Sequence, residues 1–205
     1  MAFASFYPEQ KSENIRNLEL TIGGYQVYAL IESFNDRNAE LADFISGKFY
    51  FFFETHKLST WSKALTDAIV FINKQIIEEK NTGTIERDAT ASISVISVYE
   101  NQANYAGSGK CRIHLVRNQK LYPLTKDQES KLGVSHDLKF GVSAKPLLLT
   151  PGDMLLLSTS LFDCNALLIA LNEFSGCEFK NSEALPIPGI NAGYMLLHAM
   201  PEISV

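Results

Sequence analysis

The sequence lacks the features that mark a membrane protein, a nucleic-acid-binding protein or a cysteine-based metal or redox protein. Its apolar runs are far shorter than the roughly 20 residues that span a bilayer, and the N-terminus has no basic region followed by a long apolar segment. The net charge is −5, without a basic cluster, which argues against binding to a phosphate backbone. The three cysteines, Cys111, Cys164 and Cys177, are far apart and show no CxxC spacing. We therefore expect a soluble, cytoplasmic protein that binds neither membrane nor nucleic acid.

What the sequence does contain is the composition of an ordinary globular domain. Hydrophobic residues make up 46% of the chain and charged residues 20%, and 205 residues are enough to bury one sizeable core. No internal repeat or low-complexity tract divides the chain. We expect a single domain over residues 1–205.

The beginning of the chain predicts a hairpin and then a helix. Alternating apolar residues over 18–31 predict two strands that turn at Gly23-Gly24. A helix with one apolar face follows, with Asp36 or Asn38 as its cap. Residues 49–53 are aromatic, and they either continue this helix or cross to the next one.

A second helix is the clearest element of the sequence. Ser59 is the candidate N-cap, and Asn81-Thr82-Gly83 supplies the stop. One apolar stripe at helical spacing predicts a face that packs on a sheet. Its members are Trp61, Leu65, Ala68, Ile69, Ile72 and Ile76.

The second half of the chain is dominated by strand patterns. Residues 91–125 predict a meander with a hairpin turn at Asn118-Gln119. The remaining predicted elements are a loop at 130–138, two short strands over 146–158 about a turn at 150–153, a short helix at 161–171 and a buried strand at 194–199.

Two stretches carry recognisable motifs. Residues 106–112, AGSGKCR, stand where a known family has a strand ending in ANVGDSR, and the frame continues through 114–117 and 124–128 without a gap. Residues 151–163, PGDMLLLSTSLFD, match the pattern PGDxLLLxSDGLxD of the same family. The chain thus resembles the protein phosphatase 2C family of metal-dependent serine/threonine phosphatases.

The resemblance implies a fold and a chemistry. The fold would be of the α+β class, a four-layer α-β-β-α sandwich in which two antiparallel sheets are flanked by helices. The family binds two divalent cations, magnesium or manganese, between the sheets, and these ions activate a water for attack on the phosphoryl group. Such hard cations require several converging carboxylates.

Most of those carboxylates are replaced in this sequence. Lys110 stands at an Asp position of the first stretch, and Thr159 stands at the metal-binding Asp of the second. The family's last motif is weaker here, with Asn191 retained and Ile190 in place of its acid.

The two N-terminal motifs of the family are also degenerate. In the first, Lys11 retains a cation that would bind phosphate, but Ile15 and Arg16 replace an acidic pair. In the second, Glu32 is the only acid retained at a family metal position, and Phe34 replaces the histidine that acts as general acid.

The leading hypothesis is a catalytically inactive phosphatase-like protein, a pseudophosphatase, that acts as a protein-binding or regulatory module. We expect no catalytic residue, no bound metal and no other cofactor, and a protein partner such as a phosphoprotein or a signalling component. The candidate residues of the degenerate pocket are Lys11, Arg16, Glu32, Lys110, Arg112, Thr159 and Asn191.

Two alternatives remain open at this point. The chain would be an active serine/threonine phosphatase with magnesium or manganese if acids such as Glu13, Asp36 or Asp163 completed a site around Glu32. It would be a sensor of a small anion if Arg112 and the other cations of the pocket converged.

Other signals in the sequence favour structural roles. Residues 104–111 are similar to a phosphate-binding P-loop but lack its first glycine, and a strand pattern follows instead of a helix. Cys111 is expected to be a buried apolar residue, and His114 a packed ring. We also expect Asp153 to be a turn residue.

Overall fold

A computed structural model describes residues 2–6, 13–36, 40–57, 59–125, 131–135, 138, 144–159 and 194–200. Within these ranges the chain forms two long helices and ten strands. The helices are α1 (Glu40–Thr55) and α2 (Trp61–Thr82). The strands are β1 (Ala2–Phe6), β2 (Ile15–Ile22), β3 (Tyr25–Phe34), β4 (Thr90–Tyr99), β5 (Gln102–Ser108), β6 (Arg112–Arg117), β7 (Lys120–Pro123), β8 (Lys145–Leu148), β9 (Met154–Ser158) and β10 (Tyr194–Met200).

The strands form two five-stranded sheets in which every described pair is antiparallel. The first sheet has the order β2-β3-β4-β5-β8, and the second has the order β1-β10-β9-β6-β7. The α+β class with two antiparallel sheets, expected from the resemblance, is confirmed. The helix predicted at 161–171 lies outside the described residues. No helix in the described part of the chain is long and apolar enough to cross a membrane.

Two apolar cores account for this layering. Side chains alternate along β3, so Val27, Ala29 and Ile31 pack under α1 and α2, whereas Tyr28 and Leu30 pack between the two sheets. Glu32 is the next residue after Tyr28 and Leu30 in this alternation, so its side chain is directed toward the opposing sheet. The first sheet is therefore covered on both faces, by helices on one side and by the second sheet on the other.

Helix α1 begins after the predicted capping residues and includes the aromatic run at 49–53, for which the sequence left two alternatives open. The Asp36 carboxylate accepts a hydrogen bond from the Leu41 backbone N–H at 2.8 Å, in the first turn, so its predicted capping role is confirmed. The aromatic run at 49–53 continues the helix. Its residues divide between the core, which buries Phe49, Phe52 and Phe53, and the surface, where Tyr50 and Phe51 are exposed.

Helix α2 has a different N-cap from the predicted one. Thr60, directly before the first helical residue, has extended backbone angles, and its hydroxyl accepts from the Lys63 N–H, so the prediction of Ser59 is wrong by one residue. The predicted stop is confirmed: Gly83 adopts the left-handed conformation at φ 85°, and its N–H donates to the Lys80 carbonyl.

The predicted turns are confirmed, with two additions. Gly23-Gly24 joins β2 to β3, and Asn118-Gln119 joins β6 to β7 with positive φ at both residues. The two strands predicted over 146–158 exist, but they belong to different sheets, because β8 pairs with β5 and β9 pairs with β10 and β6. Strand β1, which the sequence did not reveal, pairs with β10.

Candidate functional site

The chain crosses from one sheet to the other at Gly109-Lys110-Cys111. Strand β5 belongs to the first sheet and β6 to the second, so these three residues bridge the two at one end of the sandwich. The Lys110 N–H donates a hydrogen bond to the Ser92 hydroxyl oxygen at 2.9 Å. The crossing is thereby attached to the first residues of β4.

Glu32 lies beside this crossing. In the sheet it is opposite Ile15 on one side and opposite Ser92 on the other. One of its carboxylate oxygens, Oε2, is buried and has no hydrogen-bond partner among the described residues. Burial raises the pKa of Glu32 to about 7, although the positive charges of Lys110 and Lys131 act in the opposite direction. The carboxyl is thus close to half protonated near neutral pH.

Lys131 is a site residue that the sequence did not identify. Leu132 forms two backbone hydrogen bonds with Ala91, at 2.9 and 3.2 Å, and these place Lys131 near the end of β3. Its ammonium lies 4.5 Å from the centre of the Phe34 ring. The sequence placed this residue in a loop, and only the tertiary bridge to β4 brings it to Glu32.

Helix α2 anchors the segment that carries Lys131. The Asn73 side chain accepts from the Gly133 N–H and donates to the Ser135 carbonyl, both at 2.8 Å. Lys80 is 9% exposed, and its ammonium donates to the carbonyls of Gly133 at 2.7 Å and Arg87 at 3.1 Å. Burial lowers the pKa of Lys80. These contacts fix residues 131–135 against the helical layer.

Arg16 does not join this group, which corrects its assignment to the pocket. It is opposite Ile31, whose side chain packs under the helices, so Arg16 points to the helical face of the sheet and away from Glu32. There its guanidinium donates to both carboxylate oxygens of Asp43 on α1, at 2.5 and 2.9 Å. The proposed convergence of Arg16 with Lys110 is therefore wrong.

Arg112 is also directed away from the space between the sheets. Its neighbours on β6, Ile113 and Leu115, pack between the sheets, so Arg112 and His114 lie on the opposite face. The inclusion of Arg112 in a converging cationic pocket is wrong for this reason. Burial, and then the charge of Arg112, lower the pKa of His114 to about 4, so its ring is neutral at neutral pH.

The remaining candidates have different outcomes. Thr159 directly follows β9 and is 3% exposed. Lys11 and Asn191 lie outside the described residues, and so does Asp163 of the alternative reading. Of the other two acids of that reading, Glu13 lies in an exposed turn and Asp36 caps α1.

Cys111 has the structural role that the sequence predicted. Its side chain is buried, at 2% exposure. Burial raises the pKa of its thiol well above the usual value, and the negative charge of Glu32 raises it further. A thiol in this state is a poor nucleophile at neutral pH.

The donor set around Glu32 does not fit a centre of two divalent cations. No group of three or more histidine, cysteine, aspartate or glutamate residues suitable for a metal ion occurs among the described residues. The charges that act on Glu32 come from Lys110 and Lys131. Magnesium and manganese prefer clustered carboxylate oxygens, and two nearby ammonium groups oppose their approach.

Comparisons with known proteins reveal a similarity of structure at low sequence identity. No protein-family profile and no curated protein matches the sequence. Solved structures match over nearly the whole chain. PppA, described as a key regulatory component of T6SS in Pseudomonas aeruginosa, is 15% identical over 97% of both chains, with a TM-score of 0.69. The S. agalactiae serine/threonine phosphatase is 12% identical over 97% of this chain and 100% of its own, with a TM-score of 0.73.

A third neighbour was solved with its metals. It is the catalytic domain of the serine/threonine protein phosphatase PstP in complex with two manganese ions, 12% identical over 96% of both chains, with a TM-score of 0.68. At these identities the similarity establishes the fold and leaves the activity open. The chain has the fold of the protein phosphatase 2C-type serine/threonine phosphatases.

Proposed function

We propose that this chain is a catalytically inactive protein with the phosphatase 2C fold, a single cytoplasmic domain that acts as a protein-binding or regulatory module. The observation that carries the proposal is the environment of Glu32, whose half-buried carboxyl feels the positive charges of Lys110 and Lys131, while the described residues contain no cluster of acids fit for a metal ion. Among the described residues, a divalent cation there would have one carboxylate ligand and two cationic neighbours. The retained scaffold therefore supports binding better than metal-dependent hydrolysis.

The same two lysines favour an anionic group on the partner. Lys110 is exposed, and its backbone is held by Ser92 through the hydrogen bond of 2.9 Å. Partial protonation of Glu32 near neutral pH reduces the repulsion that a full carboxylate would exert on an approaching anion. We propose that the partner is a phosphoprotein or another signalling component that presents a phosphate or a carboxylate to Lys110 and Lys131.

A regulatory role is also what the description of PppA states for that protein. The likeness of the two structures supports a regulatory role for this chain as well. The likeness to PppA does not identify the partner of this chain. The feature that would identify the partner is an anionic group that Lys110 and Lys131 can bind.

Measurements of metal binding and of turnover test whether the chain is catalytically inactive. Calorimetric titration with magnesium and with manganese is combined with hydrolysis of a phosphoserine peptide, and the S. agalactiae phosphatase serves as the positive control. We expect no tight binding of two ions and no metal-dependent turnover. Metal-dependent turnover that is lost in Glu32→Gln would overturn the proposal in favour of an active phosphatase with atypical ligands.

Anion binding tests the role of the lysines. The same phosphoserine peptide and its unphosphorylated counterpart are titrated by NMR into the full chain at low ionic strength. We expect Lys110→Ala to weaken binding of the phosphorylated peptide by about three- to tenfold, the loss of one charge-assisted contact. Lys120→Ala, which removes an equal charge from the exposed first residue of β7, should leave it unchanged. Equal binding of the two peptides by the unaltered chain would argue against an anion site.

A further inference from the structure

A cavity lies in the helical layer, between the C-terminal end of α1 and α2. Its volume is about 310 Å³, and all of its described walls come from these two helices and the residues that connect them. This volume is at the small end of the range for ligand pockets. The helices cover the face of the first sheet opposite to Glu32, so the cavity is separate from the site between the sheets.

Three aromatic rings form one wall of this cavity. The Phe52 and His56 rings are parallel, with centroids 4.3 Å apart and planes inclined by 18°. The Phe71 ring meets the His56 ring edge-on at 5.3 Å and lies 5.6 Å from the Phe52 ring. Such a wall offers both a ring face and ring edges to a flat apolar group.

The charged lining of the cavity has an excess of cations. Lys57, just after α1, and Lys74, within α2, are both exposed and line the cavity. Asp67 is the acid of the lining, but its carboxylate is already bound by the Lys63 ammonium one helical turn away. Two ammonium groups therefore remain for a ligand, although the chain as a whole has a net charge of −5.

His56 adds polar atoms to the lining. Its Nδ1 lies 3.1 Å from the Phe52 carbonyl oxygen and 3.0 Å from the Thr55 hydroxyl oxygen. Nε2, the other ring nitrogen, donates or accepts a hydrogen bond according to the tautomer. The ring can thus pair with a neutral or an anionic ligand group.

We propose that this cavity binds a small amphipathic anion, a flat aromatic group that carries one carboxylate. The aromatic part packs against the exposed His56 ring and the half-buried Phe71 ring, and the carboxylate is held by Lys57 and Lys74. This assignment rests on the ring wall together with the excess of cationic groups, and it does not depend on the proposed role of the Glu32 site.

Two matched probes test the proposal, 2-naphthoate and its uncharged analogue 2-naphthalenemethanol. Binding is followed by amide shifts in NMR and by fluorescence of Trp61, the one tryptophan of the chain. This indole stacks on Phe53 at 5.8 Å, and Phe53 contacts Phe52 of the cavity wall at 5.3 Å. We expect 2-naphthoate to shift the amides of residues 67–74 and to bind about fivefold or more tightly than the alcohol, as two partly exposed charge contacts would give.

Substitutions identify the groups responsible. In the double variant Lys57→Gln, Lys74→Gln the preference for the carboxylate should disappear, whereas Lys48→Gln on α1, outside the cavity, should preserve it. Urea denaturation of each variant verifies that the fold is intact. Equal affinity of the unaltered chain for the two probes, or a preference that survives the double substitution, overturns the proposal, as does a set of shifts located away from α1 and α2.

Discussion

The backbone of Gly109 packs so closely on Ser92 that a β-carbon at position 109 would lie 2.2 Å from the Ser92 hydroxyl oxygen and 2.9 Å from its β-carbon. Gly109 also has φ +82°, in the region that L side chains rarely adopt. This contact brings the crossing between the sheets against Ser92, the residue opposite Glu32. The position of Lys110 beside Glu32 thus depends on the absence of a side chain at the preceding residue.

Gly109→Ala should destabilise the protein strongly. The positive φ costs about 1–3 kcal/mol for alanine, and the overlap with Ser92 adds a similar amount, so we expect a loss of about 2–6 kcal/mol in the free energy of unfolding. Urea denaturation measures it. Gly23→Ala is the matched control, because Gly23 also has positive φ but has open space around its β-carbon position. A loss at Gly109 no greater than at Gly23 would mean that the contact with Ser92 is unimportant.

Lys80→Met should loosen the segment that carries Lys131. The substitution keeps an unbranched side chain, one atom shorter, but leaves the Gly133 and Arg87 carbonyls without their donor, at a cost of about 2–3 kcal/mol. Hydrogen exchange should accelerate at the amides of Leu132 and Ala91, which bond to each other's carbonyls. Lys120→Met, at the exposed first residue of β7, should change neither quantity. Unchanged protection at Leu132 in Lys80→Met would contradict the anchoring role.

The fold was predictable because local and family-level signals agreed. Glycine pairs, capping residues and apolar periodicity located the hairpins and both helices to within a few residues. Strand β1 was not predicted because residues 2–6 have no alternating pattern. Their strand conformation comes from pairing with β10 at the other end of the chain. A contact between residues so distant in sequence leaves no local trace.

The candidate site was less predictable, for two physical reasons. The sequence placed Arg16 and Arg112 at motif positions but could not determine which face of the sheet each occupies, and a shift of one residue reverses the face. Lys131 was missed because its place beside Glu32 comes from the bridge between Leu132 and Ala91 and from anchors on α2. Glu32 and Lys110 were identified from the sequence because each lies in a family motif, and the motif fixes the position of its residues in the fold.

Asp153 contributes more to the stability of the fold than its predicted role as a turn residue indicated. It is 2% exposed, and its carboxylate accepts from the Arg117 guanidinium at 2.8 and 2.6 Å and from the Thr150 N–H at 2.7 Å. Burial alone would raise the pKa of Asp153, but the hydrogen bonds from Arg117 and Thr150 outweigh it and lower the pKa below the usual 3.8. The ionised form therefore stabilises the folded state.

Asp153→Asn should consequently cost about 1–3 kcal/mol at pH 7. A lowered folded-state pKa means that this stabilisation is present above pH 3.8 and is lost as the pH falls through the folded-state value. The difference between the variant and the parent should therefore shrink in acid, as measured by denaturation at pH 7 and pH 3. Asp67→Asn, at the exposed pair with Lys63, should cost under about 1 kcal/mol. A cost at Asp153 that is independent of pH would argue against the ionic contribution.

Glu32→Gln should stabilise the protein at alkaline pH. The pKa of Glu32 rises from 4.5 in the unfolded chain to about 7 in the folded one, so folding is favoured by the protonated form. That contribution is complete below pH 4.5 and is lost as the pH rises through 7. Glutamine has no such loss, and we expect a gain of about 1–2 kcal/mol at pH 8 after allowance for solvent screening, with little difference at pH 4. Glu19→Gln, at an exposed position of β2, is the matched control. If Glu32→Gln were less stable than the parent at pH 8, attraction to Lys110 and Lys131 would outweigh burial, and the Glu32 carboxylate would be ionised in the folded protein.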